Sequence, residues 1–371
     1  MGFFGYFFAI AAVMTVLSVV YVVESPKFGS LPGGARLERI QSSKNYMDGQ
    51  FRNMYVVTAR APVHKLGAYK AIFSVLSKLI VQQDIGQIPS MKTNLMSLKK
   101  TDDVLVWFGH SSYFIQLEGK RIIVDPVLSS ISSPIPFFPT AFNGTNVYAP
   151  SEIPEVDYLI ITHDHWDHLD YASVMKLKTK KVICPLGVGA HFERWGFDQS
   201  KLIEMDWDEE VNLPGELKVK CHTAQHFSGR CFSRNKALWA SFLITTKSGF
   251  KIYIGGDSGY GPHFKDIGKQ HGGIDIAILE NGQYNVNWRD IHMHPEETVR
   301  AAEDLGTRTL IPVHNSKFAL STHPWNEPLD RISKICCAKS LRLITPMIGQ
   351  TVNIRDAKQQ CMQWWQNAVK N

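Results

Sequence analysis

The chain lacks paired cysteines. Its six, Cys184, Cys221, Cys231, Cys336, Cys337 and Cys361, include no C-x-x-C spacing, and 371 residues can bury a core without staples. A disulfide scaffold and a cysteine-rich zinc module are both excluded. Free thiols suit a reducing compartment. Phosphate-cradling signatures are also missing. Gly255-Gly256-Asp257-Ser258-Gly259 is only loosely similar to one, with no G-x-x-x-x-G-K-[ST] and no G-x-G-x-x-G in a βαβ setting. No G-x-S-x-G marks a serine nucleophile, and no internal repeat or low-complexity tract is present. Long basic runs are absent as well. Lys176, Lys178, Lys180 and Lys181 read as a solvated face, and the net charge of +6 is spread along the chain. That balance allows mild attraction to anionic lipid but predicts no nucleic-acid partner.

Charge is missing in one more place, residues 3–23, which are mostly apolar. About 20 such residues cross a hydrocarbon core. A secretory signal peptide would want a basic start and a small-x-small cleavage site, and neither is there. Residues 1–24 are therefore expected to form a single-pass N-terminal transmembrane anchor. Lys27, Arg36, Arg39 and Lys44 follow it, which predicts a membrane protein with a cytoplasmic catalytic domain.

The rest has the composition of a folded protein, 44% hydrophobic and 20% charged. Residues 25–100 form a loosely patterned lead-in broken by Pro26, Pro32, Gly33 and Gly34. Within it Leu66, Tyr69, Phe73, Leu76 and Ile80 recur at helical spacing. Such a helix packs on its own core, lies on a bilayer or forms a homodimer contact. From Asp103 short β-rich runs take over: Val104–Trp107, Tyr113–Leu117 and residues 121–124, with Gly109 and Gly119 at turns. Further strands are expected over 159–162, 182–184, Leu217–His222, 239–245, 250–254, 274–279 and 309–313. Helices are expected over 188–195 and 295–305, the latter opened by Pro295, Glu296 and Glu297. Meander strands followed by strand–helix alternation predict a layered α/β architecture.

The densest feature is His163-Asp164-His165-Trp166-Asp167-His168, directly after an apolar run. H-x-H-x-D-H gathers imidazole and carboxylate ligands on one turn, the donor set of a borderline metal such as Zn²⁺. More candidates stand at strand ends, where a rigid sheet presents chemistry: Asp125, His226, Asp257 and His314. Asp164 falls outside the ligand pattern and reads as a residue that fixes a histidine ring or makes the turn.

These residues, with Gly109-His110-Ser111, resemble the metallo-β-lactamase fold superfamily over roughly residues 101–350. Gln225-His226, Leu238-Trp239, Gly256-Asp257-Ser258-Gly259-Tyr260, Pro295-Glu296-Glu297 and Pro312-Val313-His314 are similar to the N-acylphosphatidylethanolamine-hydrolysing phospholipase D family. A C-terminal tail over 351–371 is expected to be helical, and the resemblance implies a hydrolase domain over 101–350, built as an αββα sandwich. It implies two zinc ions per chain. His163, His165 and His226 would hold one, Asp167, His168 and His314 the other, and Asp257 would bridge them and serve catalysis. His292 matches a substrate-facing histidine of the phospholipase family; a helix-cap role is its alternative. His110 is left open between a functional role and a structural one, as a turn histidine supporting the metal loop.

The expected function is a dinuclear zinc phosphodiesterase acting on N-acylphosphatidylethanolamine-like phospholipids. Lactone, ester or β-lactam hydrolysis on the same fold remains open, as does a non-enzymatic metal-binding membrane protein. RNA processing is disfavoured.

Overall fold

In the computed structural model, which describes residues 3–55, 86–134, 139–230, 233–366 and 368, the chain opens with helices α1 (Phe3–Glu24) and α2 (Gly34–Gln41). Among the described residues no helix is long and apolar enough to cross a membrane. The transmembrane anchor expected over residues 1–24 is therefore not supported. Within α1, Phe7, Phe8, Ile10 and Leu17 are exposed. The amphipathic stretch expected over residues 66–81 lies outside the described residues.

A short hairpin, β1 (Tyr46–Met47) and β2 (Gln50–Phe51), precedes the main body. Next come β3 (Val104–Trp107), β4 (Tyr113–Leu117), β5 (Lys120–Val124), β6 (Val156–Ile160), β7 (Thr179–Pro185) and β8 (Leu202–Met205). A second series follows: β9 (Glu210–Leu213), β10 (Leu217–His222), β11 (Ser241–Thr245), β12 (Lys251–Ile254), β13 (Ile274–Glu280), β14 (Thr307–Val313) and β15 (Arg342–Leu343). The last strand, β16 (Thr351–Asn353), returns to pair with β3. Two seven-stranded sheets result, ordered β16-β3-β4-β5-β6-β7-β8 and β15-β14-β13-β12-β11-β10-β9. The body therefore extends past residue 350. In the tail expected to be helical, the described residues hold this strand and a single 3₁₀ turn, Trp364–Gln366. Trp364 and Trp365 are buried there, and anchoring them in the core takes precedence over a helix.

Side-chain alternation builds the layers. Ile122 and Val124 of β5 and Ile252 and Ile254 of β12 point between the sheets into one core. Ile123 points outward beneath α3 (Tyr171–Val174) and α4 (Gly189–Arg194), with Val174, Phe192 and Trp195. Tyr253 points outward on the other side, beneath α5 (His263–His271), α6 (Pro295–Asp304) and α7 (Glu327–Lys339), with Phe264, Val299 and Ile332. This is the expected helix–sheet–sheet–helix sandwich. Burial on both faces makes the central strands near-continuously apolar, as in Tyr113–Leu117.

A candidate metal centre at the strand ends

Two loops bring the first ligand group together, the turn after β6 and the loop after β10. His163 Nε2 lies 2.9 Å from His165 Nδ1, and His226 Nε2 lies 3.2 Å from that same atom. Ligands 2.0–2.1 Å from a tetrahedral ion sit roughly 3.3 Å apart. Second contacts fix each ring. His226 Nδ1 donates to the Ile291 carbonyl at 3.0 Å, which leaves Nε2 facing inward, and Thr162 Oγ1 meets His163 Nδ1 at 3.0 Å. Asn53 brackets the His226 backbone: its Oδ1 accepts from His226 N at 3.1 Å and its Nδ2 donates to His226 O at 2.7 Å. Burial holds the His163 and His226 imidazoles well below their ordinary pKa, so both are neutral and have lone pairs to offer.

Asp167, His168 and His314 form the second group, and His110 joins them. Asp125, at the end of β5, accepts from His168 Nδ1 at 2.9 Å and turns its Nε2 inward. Both Asp125 oxygens are taken, since Thr162 N and Thr162 Oγ1 also donate to them at 2.8 and 2.6 Å. His110 donates from Nε2 to Asp167 Oδ2 at 2.7 Å, so at the least it supports that carboxylate. His110 and His314 both have left-handed backbones, φ 52° and 65°, and His314 N donates to the His110 carbonyl. That bond ties a strand end of one sheet to a strand end of the other.

Asp257 stands between the groups, 3.2 Å from His168 Nε2 and 3.1 Å from His314 Nδ1. Its Oδ2 is also 3.9 Å from His163 Nε2 and 3.8 Å from His226 Nε2. Burial pushes its pKa up, but the His168 and His314 imidazoles more than offset this, and the carboxyl lies well below its usual range. Gly256 makes the approach possible: a Cβ there would come within 2.9 Å of Thr162 Cβ, and its φ is +61°. Asp257 Oδ1, His168 Nε2 and His314 Nε2 are buried without a hydrogen-bond partner. Orphaned buried acceptors are costly unless something binds them. These orphans, in a set made only of imidazole and carboxylate, fit divalent metal ions.

His292, expected to face substrate, lines the same cavity. Its Nδ1 lies 2.7 Å from Glu280 Oε2, and its ring is 5.1 Å from that of His226. Burial raises the Glu280 carboxyl to about 7, and Glu280 with Asp257 outweighs burial to raise His292. The helix-cap alternative belongs instead to His294, which precedes α6 and whose N–H donates to Glu297. Glu280 went unread in the sequence. Its signal was an acid closing a buried apolar strand, as Asp125 does.

Asp164 fixes a histidine, though not a ligand one. Its Oδ2 faces His191 Nε2 at 3.2 Å and its Oδ1 accepts from Gly229 N at 2.7 Å. Arg230, also unread, donates from Nη1 to the Asp164 and Leu169 carbonyls and from Nε and Nη2 to the Lys27 carbonyl. Its guanidinium lies 3.9 Å over the Trp166 ring, whose edge meets Phe28. The ligand turn is thus clamped to the segment that follows α1.

The candidate ligands open into a cavity of about 340 Å³, walled by Phe227, Trp288, Ile291 and Leu320. The profile of the β-lactamase superfamily domain matches residues 120–315, just over half of the chain. An uncharacterized protein of Mycobacterium tuberculosis is 35% identical over 320 residues, 84% of this chain and 85% of that one. N-acyl-phosphatidylethanolamine-hydrolyzing phospholipase D 1 of Caenorhabditis elegans is 28% identical over 253 residues, 63% of this chain and 69% of that one. Among solved structures, isothiocyanate hydrolase from Delia radicum gut bacteria aligns with a TM-score of 0.53 at 18% identity, covering 67% of this chain and 98% of that one, a likeness of fold. With the sandwich, the strand-end candidate ligands and these matches in agreement, the chain belongs to the β-lactamase superfamily and has the fold and clustered His/Asp set of its metal-dependent hydrolases.

Proposed function

We propose that the protein is a dinuclear zinc hydrolase that cleaves phosphodiester bonds in N-acylphosphatidylethanolamine-like phospholipids. One observation carries the reading: a single cavity joins the candidate ligand groups, the hydrogen-bonded pair His292–Glu280 and an apolar wall. His163, His165 and His226 would hold one ion and Asp167, His168 and His314 the other, with Asp257 between. Two divalent ions held there would supply an acidified water and neutralise charge building on phosphoryl oxygens.

The chain's own residues do the rest. His292 faces the cavity, and Glu280, accepting from its Nδ1, would steady the protonated ring and so keep a proton donor where a departing alkoxide would need one. Phe227, Trp288, Ile291 and Leu320 receive hydrocarbon and exclude water from the reacting bond. The exposed apolar side chains of α1 offer contact with the lipid surface on which such a substrate resides. The named activity of the Caenorhabditis elegans relative supports the same substrate class.

The test is turnover of N-acylphosphatidylethanolamine, a simple lactone and a β-lactam by zinc-loaded protein, with products identified by mass spectrometry. Phosphatidate and N-acylethanolamine are expected. His292→Asn should slow phospholipid turnover by roughly 10²-fold while metal content is unchanged. Lactone or β-lactam turnover without phospholipid cleavage overturns the substrate class, and no turnover of any of the three returns the protein to a non-enzymatic metal binder.

A further inference from the structure

We propose that Arg234 is a specificity-determining residue that grips an oxyanionic head group of an amphiphilic substrate at the cavity mouth. The inference rests on the reading of this cavity as the substrate site and adds what the substrate must carry. Arg234 lines the cavity together with His165, Asp257 and His292. Its guanidinium carbon stands 4.0 Å over the Phe227 ring, and that ring lies 4.4 Å from His165. The cation is therefore held one aromatic ring away from a ligand histidine.

Among the described residues no carboxylate pairs with its charge. Arg36, Arg331 and Arg355 each meet two carboxylates. Arg230, four residues earlier, spends its donors on backbone carbonyls. Among the described residues Arg234 has neither an acid partner nor a hydrogen-bond acceptor; its one contact of this kind is the Phe227 face. Stacking on an aromatic ring orients a guanidinium and leaves its N–H edge free for bidentate recognition of phosphate or carboxylate. The neighbouring wall of Trp288, Ile291 and Leu320 is apolar. A cation beside an apolar wall calls for a ligand with an oxyanion at one end and a hydrocarbon part beyond it.

The experiment measures binding, so it needs no turnover. Zinc-loaded full-length protein is titrated calorimetrically with dodecyl phosphate, dodecanoate and dodecanol. Arg234→Ala should weaken dodecyl phosphate by roughly 10-fold or more, the scale of one charge-assisted hydrogen-bonded pair. Arg234→Lys should recover part of the loss, and Arg234→Glu should deepen it. A matching loss for dodecanoate widens the head group to carboxylates; a loss confined to dodecyl phosphate narrows it to phosphate. Metal content and melting temperature serve as controls, and Arg234 is exposed, so the fold should tolerate all three changes. An equal loss for dodecanol, or no loss for either anion, overturns the proposal. If the anions bind through Arg234 but no phosphodiester is cut, the proposed reaction fails and this inference stands. If phospholipid is cut and oxyanion binding ignores Arg234, the reverse holds.

Discussion

The two sheets share one topology and use it differently. In the first, β16, β3, β4 and β5 run antiparallel and β6, β7 and β8 continue in parallel. In the second, β9 to β12 run antiparallel and β13, β14 and β15 continue in parallel. β5 thus corresponds to β12, and each leads to a buried aspartate, Asp125 and Asp257. The first half then places all its remaining motif ligands on the single turn after β6. The second spreads His226, Asp257 and His314 over the ends of β10, β12 and β14. Corresponding positions have taken different work. Asp125 is saturated by three donors and can only orient His168. Asp257 has an oxygen with no hydrogen-bond donor and five imidazoles around it. Burial alone accounts for the upward shift at Asp125, whereas at Asp257 the imidazoles reverse it.

That contrast predicts unequal mutants. The wild-type protein should carry close to two equivalents of metal by elemental analysis after zinc reconstitution, and a value near zero would remove the site altogether. Asp257→Ala should lose bound metal and bring turnover down to background, because one carboxylate faces both ligand groups. Asp125→Asn should be milder. It keeps the shape but loses the anion that steadies His168, and losses of this kind run about 10–100-fold in metal affinity or activity. Chelator competition and steady-state turnover measure both. Equal damage at the two aspartates would mean that corresponding strand ends are not specialised as described.

The same contrast explains what was legible beforehand. The first half announced itself because its ligands are contiguous, so spacing alone identified His163, His165, Asp167 and His168 as a group. His226, Asp257 and His314 could be read only one by one, as polar residues after apolar runs, and the family resemblance joined them. Glu280 escaped because it terminates β13 without a motif around it, although its position repeats the logic of Asp125. Arg230 and Asn53 were beyond reach, since they act through backbone carbonyls and amides contributed by distant segments. Among the strands, Leu217–His222 matched its expected bounds, whereas β8 and β9 were missed. Their exposed or partly exposed residues, Glu204, Glu210 and Asn212, dilute the apolar signal. The tail, expected to be helical, instead pairs Thr351–Asn353 with the open edge of β3.

The smallest effect at neutral pH should come from His263, which is absent from the candidate ligand groups. It packs behind the Asp257 loop with Nε2 3.2 Å from Ser258 Oγ, and burial lowers its pKa from an ordinary 6.5 to about 4. Burial similarly takes His222, on β10, down to about 3. The unfolded chain takes up these protons near pH 6.5 and the folded chain only near 4 or below. Between those values the unfolded state holds more protons, so stability is full above about pH 6.5 and falls as the pH drops toward 4. For His263 the complete loss is on the order of 3 kcal/mol, with roughly 2 kcal/mol of it gone by pH 5. His263→Phe should leave turnover at pH 7.5 within a factor of about two, since no proton moves there. The variant should lose less stability than the wild type between pH 7 and pH 5, read as the shift in urea midpoint. If the two proteins lose the same stability over that interval, His263 already carries its proton in the fold, and acid sensitivity would have to originate among the ligand histidines and carboxylates instead.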